Sequence, residues 1–444
     1  MDNTTSRRDL LKRTGVLAMG VMTWPVWMPR IALAAPETAT QGDVLVCIFM
    51  RGGADGLNLV APHGDKDYYA RRDTLALAQP KSTNANAALD LDGLFGLHPN
   101  LRPLKDIYDA GALAIVHAAG SPDPTHSHFD AMDFMERGTP GEKAIPTGWI
   151  GRHLQQVASA NKSPFRAVGM GSLLQQSLRG PAPATALQSI ADFHLQGDAK
   201  RAQQIQDALA ALYAGDGFVE SEGQQTLQAL RDLAKIAQNK YTPANGATYP
   251  ETAFGKSLAT VAQLIKAEMG LEVACVDIGG WDTHVQQGVV SNGQMPRLIE
   301  EFANGLAALY RDLQDQMRRI TVVTMSEFGR RVQENTSQGT DHGHGGVMFV
   351  MGGGIIGAKV YGEWPGLSQD RLYGPGDLAI TTDFRDVLGE IVSKRLNDPN
   401  LAAVFPGYAT FKFRGLARES GTAAQPSAIQ LPFNIKIPLP GAVR

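Results

Sequence analysis

The residues best suited to chemistry follow two apolar runs. LEVACVDIGG opens into GGWDTH, which carries Asp282 and His284. ITVVTMSE opens into SEFGRR, with Ser326 and Glu327, and then into GTDHGHGG, with Asp341, His342 and His344. Aspartate, glutamate and histidine beside glycine-rich turns suit a divalent metal that takes nitrogen and oxygen ligands, such as zinc or manganese. Two such ions ~3.5–4 Å apart can clamp the attacking and leaving oxygens of a phosphoryl displacement. Each residue alone also has a plain reading: a surface carboxylate at Glu327, loop histidines at His342 and His344, a turn residue at Asp282. Their combination points to a site.

Two further segments add candidates. DVLVCIFM followed by RGGADG places Asp55 just beyond a short buried strand. In SPDPTHSHFDAMDFMERG, Pro122 and Pro124 break the chain, and a helix is predicted from about Ser127 towards Glu136. Ser127 then caps the helix through its oxygen, or its hydroxyl faces a site where the helix dipole favours an anion. His126, His128 and Asp130 surround it.

These side chains need a scaffold that gathers them. Strands are predicted at Asp43–Met50, Ala112–His117, Phe165–Met170, Leu271–Gly280, Ile320–Met325 and Gly346–Ile356. Helices alternate with them: Leu101–Ala110 capped by Asn100, Thr147–Ser159, Met295–Met317 and Thr381–Leu396. That alternation predicts an α/β protein with a parallel sheet, and ligands of such sheets sit beyond the carboxyl ends of the strands. Tyr68–Leu97 is polar and mixed, and reads as a loop or insertion. Asp198–Lys266 shows apolar residues at helical spacing with alternating charges, a helical insertion serving as cover or lid. One domain over residues 42–418 is expected, with an irregular tail over 419–444.

Composition narrows the function classes. The 41 basic residues nearly balance 44 acidic ones and form no stripe, so the electrostatic footprint of a nucleic-acid binder is missing. Cys47 and Cys275 both lie in predicted strands. Two buried thiols are favoured, with a disulfide open if the strands are adjacent.

The first 35 residues read as an export signal. Ser6-Arg7-Arg8-Asp9-Leu10-Leu11-Lys12, the apolar run Thr14–Trp27 and Ala32-Leu33-Ala34 give a basic start, an apolar middle and a small-residue cleavage site. The paired arginines resemble a twin-arginine signal, which makes the twin-arginine export machinery a partner and the periplasm the destination. No later segment has the ~20 consecutive apolar residues of a membrane span.

RGGADGLNLVAP, LHPNLRPL, THSHFDAMDFMERG, GWIGRHL, GGWDTH, MSEFGRR, DHGHGG and TTDFRDVLGEIV resemble, in order, the hallmark segments of the domain-of-unknown-function 1501 family. The family is grouped with alkaline phosphatases and sulfatases, which implies a three-layer α/β/α sandwich around a mostly parallel sheet. The resemblance implies Asp55 as the first-strand aspartate and Ser127 as the nucleophile, with His128 and Arg330 in the catalytic set. It implies Asp55, Asp282, His284, Glu327 and a late histidine, His342 or His344, as metal ligands. Where many superfamily members have TSDHG, this chain has Ser326-Glu327-Phe328-Gly329, so glutamate replaces the acid and phenylalanine the histidine. A second metal thereby loses a ligand. Arg51 and Arg330 are expected to hold a substrate oxyanion through their planar forks. The expected activity is hydrolysis of a small anionic phosphate or sulfate ester, with a non-catalytic binding or assembly protein as the alternative.

Overall fold

The strand Val44–Arg51 (β1) sorts its side chains by parity. Val44, Val46, Ile48 and Met50 enter one hydrophobic core, and Leu45, Cys47 and Phe49 enter another. Successive side chains of a strand point to opposite faces, so a run that is apolar at every position needs cover on both sides. Helices supply it. Arg102–Asp109, Ala253–Lys266 and Gln294–Asp312 pack into the first core; Trp149–Gln156, Phe384–Lys394 and Leu401–Val404 pack into the second. The fold is α/β, with the sheet between two helical layers.

The computed structural model describes residues 42–421, apart from 85, 158–160, 162, 191–198, 216 and 238–240. The expected export signal over 1–35 and residues 422–444 of the expected tail lie outside the described residues. No helix among the described residues is long and apolar enough to cross a membrane.

Eight further strands join β1: β2 (Leu113–Gly120), β3 (Ala167–Met170), β4 (Thr185–Leu187), β5 (Val273–Gly279), β6 (Ile320–Met325), β7 (Gly346–Gly352), β8 (Lys359–Tyr361) and β9 (Thr382–Asp383). Their order is β8-β2-β7-β6-β1-β5-β3-β4, with β9 beside β2. β1 pairs in parallel with β5 on one side and β6 on the other, so the three polar strand ends stand together. Among the described strands of this sheet, β7 alone runs against its neighbours, β2 and β6. The segment 326–345 therefore leaves β6 and enters β7 at the same rim of the sheet. Backbone bonds of 2.9 Å from Gly329 to His344, Arg331 to Asp341 and Gly343 to Gly329 lace its two arms together.

Several local expectations need correction. Asn100 does not cap the helix after it: a 3-10 turn, Pro99–Leu101, precedes Arg102–Asp109, and the Asn100 amide instead donates to the carbonyls of Val290 and Pro296. The Tyr68–Leu97 region is not a plain loop. It contributes two strands to a small three-stranded sheet, and Tyr68, Leu77 and Ala88 bury themselves in a third core. The Met295–Met317 helix is Gln294–Asp312 followed by a 3-10 turn, Gln314–Arg319. Cys47 and Cys275 face each other in register on β1 and β5, as buried free thiols.

Candidate metal centre

The site is built where β1, β5 and β6 end. β1 stops at Gly52, whose φ of 123° favours glycine, and a Cβ there would stand 2.6 Å from the backbone nitrogen of Asp282. The two strand ends can thus approach closely. The Gly52 N–H donates to Glu327 Oε1 at 2.8 Å, and the Ser326 hydroxyl bonds to Met50 O at 2.7 Å and to Ala54 N at 3.0 Å. Ser326 and Glu327 fasten the end of β6 to the turn after β1.

Three imidazoles surround Asp282. His284 Nε2 lies 3.0 Å and His342 Nε2 3.1 Å from Asp282 Oδ1, while His128 Nε2 lies 3.4 Å from Oδ2. The two nitrogens His284 Nε2 and His342 Nε2 are 3.0 Å apart. Donor atoms of His128, Asp282 and His342 all fall within 4.8 Å of one another, the only such group of three among the described residues.

The far side of each ring fixes its tautomer. His128 Nδ1 meets Glu327 Oε1 at 2.8 Å, His284 Nδ1 meets Asp341 Oδ1 at 3.1 Å, and His342 Nδ1 meets the carbonyl oxygen of His126 at 2.9 Å. Carboxylates and carbonyls accept, so each Nδ1 donates, and a neutral imidazole then presents a bare lone pair at Nε2. Three lone pairs converge on one carboxylate. Metal-binding histidines characteristically hold their other nitrogen in this way. His128 Nε2 is buried without a hydrogen-bond partner, as a ligand awaiting an ion would be. Ligands about 2.0–2.2 Å from one ion stand roughly 3.0–3.4 Å from each other, which is the spacing seen here. The residues fit a divalent cation.

Electrostatics supports the same arrangement. The hydrogen bond to Glu327 raises the pKa of His128 against the opposing effect of burial. Burial pushes Asp282 up, but the Arg330 guanidinium, hydrogen-bonded to it and charged beside it, overrides this and holds the carboxyl down at about 2. Burial lowers His342. The Asn335 amide, bonded at 3.0 Å, lowers Asp341.

The remaining expected residues divide. Ser127 occupies the N-cap of the helix His128–Arg137 but makes no side-chain capping bond, while its own N–H donates to Thr125 Oγ1 at 3.2 Å. The plain capping reading of its hydroxyl is thereby removed. His128, expected in the catalytic set, stands among the ligand candidates. Glu327 is buried and holds the His128 ring rather than facing the cluster.

Asp55 does not join the cluster. Its carboxylate is fully buried, paired with both terminal nitrogens of Arg72, and receives Gln287 Nε2 at 2.7 Å. His344 also turns elsewhere, stacking on Tyr373 with ring centroids 4.4 Å apart, and burial holds it down at about 4. Arg330 is unavailable to an oxyanion. Its guanidinium is buried and donates to the carbonyls of Gly53, Thr340, Gly52 and Trp281 and to Asp282. Arg51 is held by Glu136 at 3.2 Å and Asp277 at 3.0 Å. Sequence reasoning missed Arg72 and Gln287, whose residue types give no metal-ligand signal.

The chain belongs to the family described as a protein of unknown function, DUF1501, whose model matches residues 109–390. No curated protein sequence matches it. Among solved structures it is similar to the PsFucS1 sulfatase from Pseudoalteromonas sp., at 10% identity and a TM-score of 0.35, over 85% of this chain and 74% of that one. It is also similar to the C-terminal periplasmic domain of EcEptC from Escherichia coli in complex with Zn, at 10% identity and a TM-score of 0.33, over 87% and 96%. A third is the alkaline phosphatase from the Antarctic bacterium TAB5, at 10% identity and a TM-score of 0.27, over 71% and 93%.

Proposed function

We propose that the protein is an exported, metal-dependent hydrolase of phosphate or sulfate esters, reaching the periplasm through the twin-arginine machinery. The observation that carries this reading is the convergence of three imidazole Nε2 lone pairs on Asp282, with Ser127, the residue before His128, making no side-chain capping bond. His128, His284, His342 and Asp282 would hold zinc or manganese, a nitrogen-rich set closest to zinc's preference. A bound ion would act as a Lewis acid on a phosphoryl or sulfuryl oxygen. Ser127 would supply the attacking oxygen, its hydroxyl placed at the positive end of the helix His128–Arg137. Glu327 would keep the His128 ring turned, and Arg330 would hold the Trp281 carbonyl and the Asp282 carboxylate in place.

The test is metal analysis of the purified protein joined to a panel of phosphate monoesters, phosphate diesters and sulfate esters. Ser127→Ala should keep its metal and lose turnover; Asp282→Ala should lose both. A protein that binds no metal, or a Ser127→Ala variant as active as the parent, rejects the reading.

One observation favours a non-catalytic binding or assembly role instead. Both arginines expected to receive an oxyanion, Arg51 and Arg330, are already engaged by other groups. Stabilisation by phosphate or sulfate esters with no turnover would support that alternative.

A further inference from the structure

The small three-stranded sheet and the helix Lys66–Arg71 border a cavity of about 530 Å³. His63, Lys66, Tyr69, Gln79, Lys81 and Asp90 line it, and none of them belongs to the Asp282 cluster. Its size falls within the ~300–1,000 Å³ of small-molecule sites. The charges on its walls are unequally engaged. Asp90, the one carboxylate, is taken: Oδ1 receives the Gly93 N–H at 3.0 Å and lies 3.0 Å from His63 Nε2. Asp65, next to Lys66 in sequence, is likewise held, by the amides of Asp67 and Leu367 and the indole of Trp364. Lys66 and Lys81, by contrast, are exposed and have no hydrogen bond or ion pair with any described residue. The Tyr69 hydroxyl is buried and has no hydrogen-bond partner, although a buried tyrosine O–H ordinarily finds one. Positive charge and a hydroxyl donor are in surplus, while the carboxylates are occupied.

We infer that this cavity binds a small organic anion, an oxyanion group carried on a body of about monosaccharide size. The ammonium groups of Lys66 and Lys81 meet the oxyanion as point charges with three donors each. Tyr69 adds a neutral donor whose hydroxyl gains the partner it lacks in the free protein. Gln79 is held at the wall by its Nε2, which donates to the carbonyl of His63 at 3.2 Å, and its carboxamide oxygen is left to accept from a hydroxyl of the ligand body. The inference does not depend on the reaction assigned to the Asp282 centre.

Calorimetric titration at low salt decides it. The chelator-treated protein is titrated with glucose 6-phosphate, and separately with glucose. The parent should bind one equivalent of the phosphate ester, and glucose at least about ten-fold more weakly, the scale of a lost charged hydrogen bond. The double variant Lys66→Gln/Lys81→Gln should weaken the ester by about ten-fold or more, and Tyr69→Phe by about five-fold, the scale of one neutral hydrogen bond. Asp282→Asn should bind the ester as the parent does, which separates this cavity from the centre proposed for hydrolysis. Thermal melting checks that each variant folds, and the two exposed, unpaired lysines can be replaced without touching the core. No binding by the parent, equal affinity for glucose and its phosphate ester, or an affinity unchanged in the double lysine variant would each overturn the inference and leave the reading of the Asp282 centre as it stands. Binding lost in Asp282→Asn but kept in the lysine variant would overturn it by assigning the anion to that centre.

Discussion

Asp55 and Asp282 invite comparison because sequence treats them alike. Both follow a buried strand and a glycine turn, and those strands, β1 and β5, are parallel neighbours. Yet Asp55 is sealed inside the protein with an arginine and a glutamine amide, while the Asp282 side chain is 46% exposed and ringed by imidazoles. One carboxylate is neutralised by a permanent cation and has no capacity left. The other keeps its charge among groups that can release a proton and bind an ion. What separates these two aspartates is the chemistry of their partners, and those partners come from distant parts of the chain.

The largest expected effect lies on the structural side. Arg72→Met leaves the buried Asp55 charge without a partner and should cost about 3–5 kcal/mol in a denaturant melt. Adding Asp55→Asn should recover part of that loss; equal stability of the single and double variants would show that the two do not act as a pair.

On the functional side, Glu327→Gln removes the carboxylate that orients His128. Metal affinity, read by chelator competition, should fall about 10–100-fold. An unchanged affinity would remove His128 from the ligand set.

Asp282→Asn tests the contrast directly. Without metal, the half-exposed site should lose only about 1.5 kcal/mol, the scale of one charged hydrogen bond to Arg330. A loss as large as that of Arg72→Met would mean that Asp282, too, is there for stability.

The smallest effect is a pH slope from a third kind of buried group, the neutral imidazoles of His98 and His117. Burial lowers both from 6.5 to about 4. Their folded pKa is depressed, so the unfolded chain gains protons that the native protein does not as pH falls. Stability should be constant above about pH 6.5 and decline towards pH 4, by about 1.4 kcal/mol per pH unit for each histidine. His117→Gln should flatten that slope; an unchanged slope would assign it to other groups.

The fold was largely legible in the sequence. β1, β5 and β6 are short apolar runs closed by glycine or polar residues, and period and composition locate them without tertiary information. The antiparallel sense of β7 was not legible, because an apolar strand reads the same in either direction. In the site, Asp282, His284 and His342 were readable because DTH and DHGH concentrate ligand types just past a strand. Asp55 and Arg330 carried the same surface signal and turned out to be internal fastenings. Their partners, Arg72 and four backbone carbonyls, belong to the folded chain and leave no trace in local spacing. Glu327 was readable as important, though its role as a brace for His128 needed coordinates.

The reversed direction of β7 has a consequence for affinity. Because it brings the chain straight back beside β6, the stretch carrying Asp341 and His342 is clasped at both feet and cross-tied along its length. A clasp of that kind has already given up most of its freedom during folding. Were an ion held there, its capture would demand little additional ordering of that stretch.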